Sequence, residues 1–108
     1  MKVSVNVNPK KVNNAVLQAV QKAVVRDGLV IETFAKVNAP VDTGRLRSSI
    51  SADFFDNNTR AVVDANTNYA ANVEFGIGQK AQPFMRPALN SIRKSFLTDI
   101  GKAIRKAI

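Results

Sequence analysis

This 108-residue chain contains no histidine and no cysteine, the side chains that most often carry catalysis. Histidine is the commonest general base and the commonest transition-metal ligand, and cysteine supplies the usual thiolate nucleophile. Among the carboxylates, Asp53, Asp56 and Asp64 flank one predicted hairpin turn without the spacing of a calcium loop. We interpret them as solvated turn residues. The sequence therefore predicts that the protein is not an enzyme and has no metal or cofactor site.

Glu74 is a carboxylate in apolar surroundings, because it lies between Val73 and Phe75. An unpaired buried charge is costly, so we expect Glu74 to pair with a cation. Arg45 and Arg86 are the candidates. Such a pair either braces the fold internally or belongs to a contact between subunits. The internal brace is the preferred interpretation.

Residues 40–50 form a candidate docking segment. Either Arg45 and Arg47 project into a contact with a neighbouring protein, or the segment is a plain connector in which Gly44 supplies an unusual backbone angle. The residues alone do not decide between these interpretations.

Gly76 and Gly78 lack the third glycine and the downstream acid of a dinucleotide-binding motif. We expect residues 76–82 to form a mobile loop that is reshaped on assembly. The candidate residues for assembly and partner contacts are Arg45, Arg47, Glu74, Gly76, Gly78, Gln82 and Arg86.

Sixteen lysines and arginines against eight acidic residues give a net charge of +8. The two ends of the chain are basic and the middle is mildly acidic, which suits subunits that stack on neighbours as well as it suits nucleic acid. One tyrosine, six phenylalanines and no tryptophan do not indicate a base-stacking platform, so we expect Tyr69 and Phe75 to be packing residues. No run of 18 apolar residues is present, so we expect no contact with a membrane.

Alternating valines within residues 1–7 predict a short strand. Asn8 is a good N-cap and Pro9 a good first helical residue, so we expect a helix from there to Asn38. Asp27 and Gly28 interrupt its apolar side, and we expect a kink or break at this point. The predicted apolar stripe consists of Val12, Val16, Ala19, Val20, Ala23, Val30, Phe34 and Val37.

A hairpin is predicted next, with strands near residues 50–54 and 60–65 and a turn at 56–58. Residues 69–75 are either a further strand or one helical turn. A second amphipathic helix is expected from about Arg86 to the C-terminus. Its predicted apolar stripe is Leu89, Ile92, Phe96, Ile100, Ala103 and Ala107. The pattern predicts an α+β fold, with a small antiparallel sheet packed against a long N-terminal helix and a C-terminal helix, in one domain spanning residues 1–108.

Three segments carry a resemblance to a known family. Residues 39–50 read Ala-Pro-Val-Asp-Thr-Gly-Arg-Leu-Arg-Ser-Ser-Ile, residues 69–78 read Tyr-Ala-Ala-Asn-Val-Glu-Phe-Gly-Ile-Gly, and residues 82–89 read Gln-Pro-Phe-Met-Arg-Pro-Ala-Leu. Together they resemble the HK97 gp10-like family of tailed-bacteriophage proteins, which are small virion components of the neck or tail-completion type.

The resemblance implies a structural protein of a phage or prophage that forms a ring at the head–tail junction, between connector and tail. It implies other virion proteins and further copies of the chain as partners. The basic face of the C-terminal helix adds incidental contact with DNA as an expectation. The expected location is the virion, and the host cytoplasm during assembly. The alternative is a small basic nucleic-acid-binding module, which the charge of +8 supports.

Replacement of Phe84 with Ala is expected to destabilise the fold by about 3–5 kcal/mol, because we predict that Phe84 is the buried anchor before the second helix. Chemical denaturation of the purified variant measures this change. An unchanged free energy of unfolding would show that Phe84 faces a partner instead.

Overall fold

A computed structural model describes residues 1–8, 13–40 and 44–107. The elements in chain order are β1 (Lys2–Asn6), α1 (Asn14–Asn38), α2 (Arg45–Ser48), β2 (Ile50–Phe55), β3 (Arg60–Ala65), α3 (Ala70–Phe75) and α4 (Met85–Ala107). The predicted α+β class is confirmed, with a three-stranded antiparallel sheet, a long N-terminal helix and a C-terminal helix. Residues 69–75, which periodicity alone left undecided, contain the short helix α3.

The sheet has the strand order β1-β3-β2, and both pairings are antiparallel. The predicted hairpin is confirmed, and residues 56–58 of its turn all have positive φ, which Asp and Asn tolerate better than most residues. Val63 lies opposite Val3 on one side and Ala52 on the other, so one apolar face is continuous across the three strands. This face packs against the helices.

Helix α1 begins at Asn14, so the predicted start at Pro9 is wrong. Asn13 is the N-cap instead of Asn8, because its side-chain oxygen accepts a hydrogen bond from the backbone N–H of Val16 at 2.9 Å. Pro9 and Val12 lie outside the described residues.

The helix runs without interruption through Asp27 and Gly28, so the predicted break is absent. Both residues are buried, because this part of α1 lies against the sheet. A Cβ atom at Gly28 would lie 2.9 Å from Cβ of Ala61 and 2.9 Å from Cε1 of Phe54. Helix α1 therefore approaches the sheet so closely at Gly28 that a side chain would not fit without a shift.

The second half of the predicted α1 stripe is wrong. Val30, Phe34 and Val37 are exposed, whereas Ile31 and Ala35 are fully buried. The buried positions follow Gly28 at helical spacing, so the close contact with the sheet fixes the rotation of the helix.

Asp27 is the polar exception on the buried side of α1. The Nε atom of Arg26 donates to its Oδ1 at 3.4 Å, while its Oδ2 has no hydrogen-bond partner among the described residues. Burial raises the pKa of the Asp27 carboxyl, and the neighbouring Arg26 guanidinium only partly opposes this effect.

Helix α4 packs along α1 and begins with a buried segment in which Phe84, Met85 and Ala88 are inaccessible to solvent. Its predicted stripe is confirmed at Ile92, which is buried, and Phe96 is partly buried against the core. The side chains of Ala103 and Ala107 lie outside the described part of the chain. An ion pair between Arg26 Nη2 and Asp99 Oδ2, at 2.7 Å, joins the two helices.

Replacement of Gly28 with Ala is expected to destabilise the protein by about 1–3 kcal/mol, although Ala is the better helix former, because the added methyl overpacks the contact with Ala61 and Phe54. Gly101 is the matched control, since a Cβ there meets nothing within 4 Å. Gly101→Ala is expected to stabilise α4 by up to about 1 kcal/mol. Urea denaturation of both variants measures the contrast, and equal effects would contradict the close approach at Gly28.

Candidate functional site

The carboxylate of Glu74, on α3, caps the N-terminus of α4. Its Oε1 accepts hydrogen bonds from the backbone N–H groups of Phe84, at 2.9 Å, and Met85, at 2.8 Å. Its Oε2 accepts from the backbone N–H of Arg86 at 3.2 Å and from the Arg86 side-chain Nε at 3.3 Å. The first N–H groups of a helix have no partner within that helix, and a buried carboxylate satisfies three of them here.

This arrangement is the internal brace that the sequence favoured, with Arg86 as the cation. Glu74 is fully buried, while the Arg86 side chain is more than half exposed. The other candidate cation, Arg45, lies over the ring of Tyr69, with its Cζ 5.7 Å from the ring centroid.

The electrostatics of the cap keep Glu74 ionised. Burial by itself raises the pKa of the Glu74 carboxyl, but the backbone N–H groups of Met85, Phe84 and Arg86 and the Arg86 guanidinium outweigh burial and lower the pKa below its ordinary value. The charged form therefore stabilises the folded state at neutral pH.

Gly76 ends α3 in a left-handed conformation with φ of 73°, and its N–H and that of Ile77 both donate to the carbonyl of Asn72, at 2.9 and 3.0 Å. A Cβ at Gly76 would lie 2.8 Å from the backbone nitrogen of Ala81. Helix termination and close packing therefore require glycine at position 76, and the mobility that we expected of the loop stays a prediction.

The other loop residues named from the sequence have separate surroundings. Gly78 also has a positive φ, of 75°, but with open space around its Cα. The backbone N–H of Gln82 donates to the carbonyl of Val73 at 2.9 Å, which ties the end of the loop back to α3. Both ends of the loop are thus fixed to the same short helix.

Two apolar side chains project from this part of the molecule, and sequence reasoning missed both. Phe75 is 52% exposed and Ile77 is 60% exposed, so the expectation that Phe75 packs inside the protein is wrong. Arg86 lies over the Phe75 ring, with its Cζ 4.8 Å from the centroid. We call Phe75, Ile77 and Arg86 the Phe75 surface. The sequence contained one signal for the exposure of Phe75. If Glu74 points inward from a helix, the next residue points away from the core.

A groove beside this surface brings together two more of the predicted residues. It has a volume of about 310 Å³ and includes Arg45, Tyr69, Gln79 and Gln82 in its lining. Arg47 is not part of this lining, and its Nε is buried without a hydrogen-bond partner among the described residues. The structure thus places Arg45 and Gln82 in the lining of one groove, and pairs Glu74 with Arg86.

The part of the chain that the structure describes contains no group of three or more acidic side chains placed to hold a metal ion. None of its helices combines the length and apolar composition that crossing a membrane requires.

Residues 8–76 match the family model HK97-gp10_like, described as "Bacteriophage HK97-gp10, putative tail-component". The match covers more than half of the chain and includes the segments 39–50 and 69–76, but it ends before the Pro-Phe-Met-Arg-Pro-Ala segment at 83–88. Comparisons with curated proteins and with solved structures gave no match.

Glu74→Gln is expected to reduce the free energy of unfolding at pH 7 by about 2–4 kcal/mol, because the amide replaces a charged acceptor of several hydrogen bonds. The pKa of Glu74 is lowered in the folded state, so its contribution is complete above the ordinary pKa of a glutamate, which applies to the unfolded chain, and is lost as the pH falls through the lower folded value. The stability gap between wild type and variant should therefore close on acidification. Urea denaturation at a series of pH values measures it.

Asp53→Asn serves as the control at an exposed carboxylate, and we expect it to change stability by less than about 0.5 kcal/mol. A gap between wild type and Glu74→Gln that stays constant down to acidic pH would contradict the ionised cap.

Proposed function

Because the chain belongs to the HK97 gp10-like family of bacteriophage tail components, we propose that it is a structural protein of the virion, acting at the head–tail junction in neck closure or tail completion. The protein forms a ring between connector and tail in this proposal, and assembles in the host cytoplasm. Its role is not enzymatic. Residues 1–108 act as a single domain, whose partners are neighbouring copies and other virion proteins.

The observation that carries the proposal is the Phe75 surface. Residues at the centres of protein interfaces are enriched in aromatic side chains and arginine. Phe75, Ile77 and Arg86 present this chemistry while more than half exposed. Surface of this kind is suited to burial against another protein.

The surface is also held in place before any partner arrives. Glu74 fixes the guanidinium of Arg86 on one side, and Gly76 ends α3 directly after Phe75. Binding through ordered groups loses less conformational entropy than binding through mobile ones. Arg45 and Gln82, which line the groove, extend the proposed contact. In this proposal Arg47 and Gly78 also belong to the contact, as candidates named from the sequence.

Electron microscopy of particles made without this protein tests its position in the virion. Full heads without tails and free tails would support a role at the junction. Normal complete particles would overturn it.

Ile77→Asp is expected to leave the melting temperature within a few degrees of wild type, because Ile77 is exposed, and to abolish the formation of infectious particles, because it replaces an apolar side chain with a charge that must lose its water when the Phe75 surface is covered. Plaque counts after complementation with the variant measure this effect. Leu29→Asp is the matched control, as an equivalent change at an exposed residue of α1. Normal plaque counts with Ile77→Asp would remove the Phe75 surface from the proposal.

The alternative function is nucleic-acid binding, and one structural feature favours it. A groove between α1 and α4 has a mainly basic lining, which also includes three alanines of α1 and one acidic residue. Its charged residues are Lys22, Arg26, Asp99, Lys102 and Lys106. A dedicated DNA binder should retain measurable affinity for duplex DNA near physiological ionic strength, whereas incidental attraction to this groove should vanish as salt rises. A salt titration of fluorescent DNA binding separates the two functions.

A further inference from the structure

The two edges of the sheet differ in how they are protected. In the β1–β3 pair, the N–H of Ala65 donates to the carbonyl of Met1, and the N–H of Val7 donates to the carbonyl of Thr59. Odd-numbered residues of β1 therefore point their backbone groups toward β3. By alternation, Lys2, Ser4 and Asn6 point theirs away from the sheet.

At the opposite edge, the same alternation turns the N–H of Ala52 outward from β2, and the carboxylate of Glu32 covers it. The distance from Ala52 N to Glu32 Oε2 is 2.6 Å, and Lys36 Nζ lies 3.6 Å from the other carboxylate oxygen. A charged side chain at a strand edge is a common protection against pairing with another strand. On β1, Lys2, Ser4 and Asn6 are all exposed.

An apolar groove runs beside the β1 edge, between β1 and α4, and the outward backbone groups of this edge form no hydrogen bond within the described part of the chain. Its volume is about 240 Å³, and its lining includes Ser4, Asn6, Leu89, Phe96 and Leu97. Leu97 is 68% exposed. A strand added to β1 would place every second side chain over this groove, on the same face of the sheet as Val3 and Val5.

The cationic residues beside β1 indicate what kind of molecule would bind at this edge. Lys2 lies on the strand and Arg93 lines the groove, and neither forms an ion pair within the described part of the chain. A second copy is the poorer occupant, since each copy carries +8 and would bring the same cations to the seam.

We propose that the open edge of β1 accepts an extended segment of a different protein, with apolar side chains alternating with acidic ones, as an antiparallel fourth strand. Its apolar side chains enter the groove against Leu89 and Leu97, and its acidic side chains lie on the solvent face beside Lys2. This site is separate from the Phe75 surface and does not depend on it.

The probe is a fluorescein-labelled, acetylated and amidated peptide of alternating Glu and Val, titrated with the protein at low salt and followed by fluorescence anisotropy. We expect saturable 1:1 binding, at least about tenfold weaker for the peptide with Lys in place of Glu. Absence of binding, or equal binding of both peptides, would overturn the proposal.

Backbone methylation of the peptide tests the strand geometry without altering the protein. In an antiparallel pair, the residues opposite Lys2, Ser4 and Asn6 are the glutamates, and their N–H groups face β1. N-methylation of the glutamates should abolish binding, and N-methylation of the valines should preserve it. Equal effects of the two patterns, or the reverse result, would overturn antiparallel strand addition.

Variants of the protein test the location. Ser4→Pro removes one outward N–H but leaves the ladder to β3, and we expect it to weaken binding about tenfold. Leu97→Asp should weaken binding similarly, whereas Leu29→Asp and Ile77→Asp should leave it unchanged. Unchanged peptide binding by the Ile77→Asp variant would show that this site is separate from the proposed assembly surface. Concentration-dependent dimers that Ser4→Pro abolishes would assign the edge to a second copy and overturn the proposal.

Discussion

The burial of one carboxylate determines the arrangement of the C-terminal half of this protein. Glu74 lies on the short helix α3 but satisfies the N-terminus of α4, which begins eleven positions later in the sequence. An isolated helix of six residues is not stable in water, so α3 depends on this contact as much as α4 does. The same contact buries Phe84 and Met85 and, by helical phase, turns Phe75 outward. The buried position of Phe84 and Met85 and the exposed position of Phe75 thus both follow from the burial of Glu74.

A second constraint is steric. The absence of a side chain at Gly28 lets α1 approach Ala61 and Phe54 directly. That approach fixes which side of a 25-residue helix is buried, and it leaves Leu29, Val30 and Phe34 in solvent. A buried carboxylate at Asp27 accompanies it, with one oxygen that has no hydrogen-bond partner among the described residues. A buried carboxylate oxygen without a partner costs free energy. This cost is consistent with the packing around Asp27 determining where the side chain lies.

Local signals in the sequence were sufficient for the strands, the hairpin turn, the position of α4 and the pairing of Glu74 with a cation. They were insufficient where tertiary contact decided or where a local signal misled. The sequence predicted Asn8 as the N-cap of α1, whereas Asn13 caps the helix in the structure. The contact between α1 and the sheet determined which side of the helix is buried beyond Gly28. The outward position of Phe75 followed only once Glu74 was known to face inward. The family match also reaches further toward the N-terminus than the motifs that suggested it.

The carboxylate of Glu32 over the edge of β2 has a consequence for colloidal behaviour. A sheet with two accessible edges can propagate without limit, each new molecule offering the next one a template, as cross-β fibres do. The Glu32 carboxylate covers one outward N–H of β2, and its charge opposes the addition of a further strand at that edge. Growth of a fibre through the sheet of this protein is thereby disfavoured.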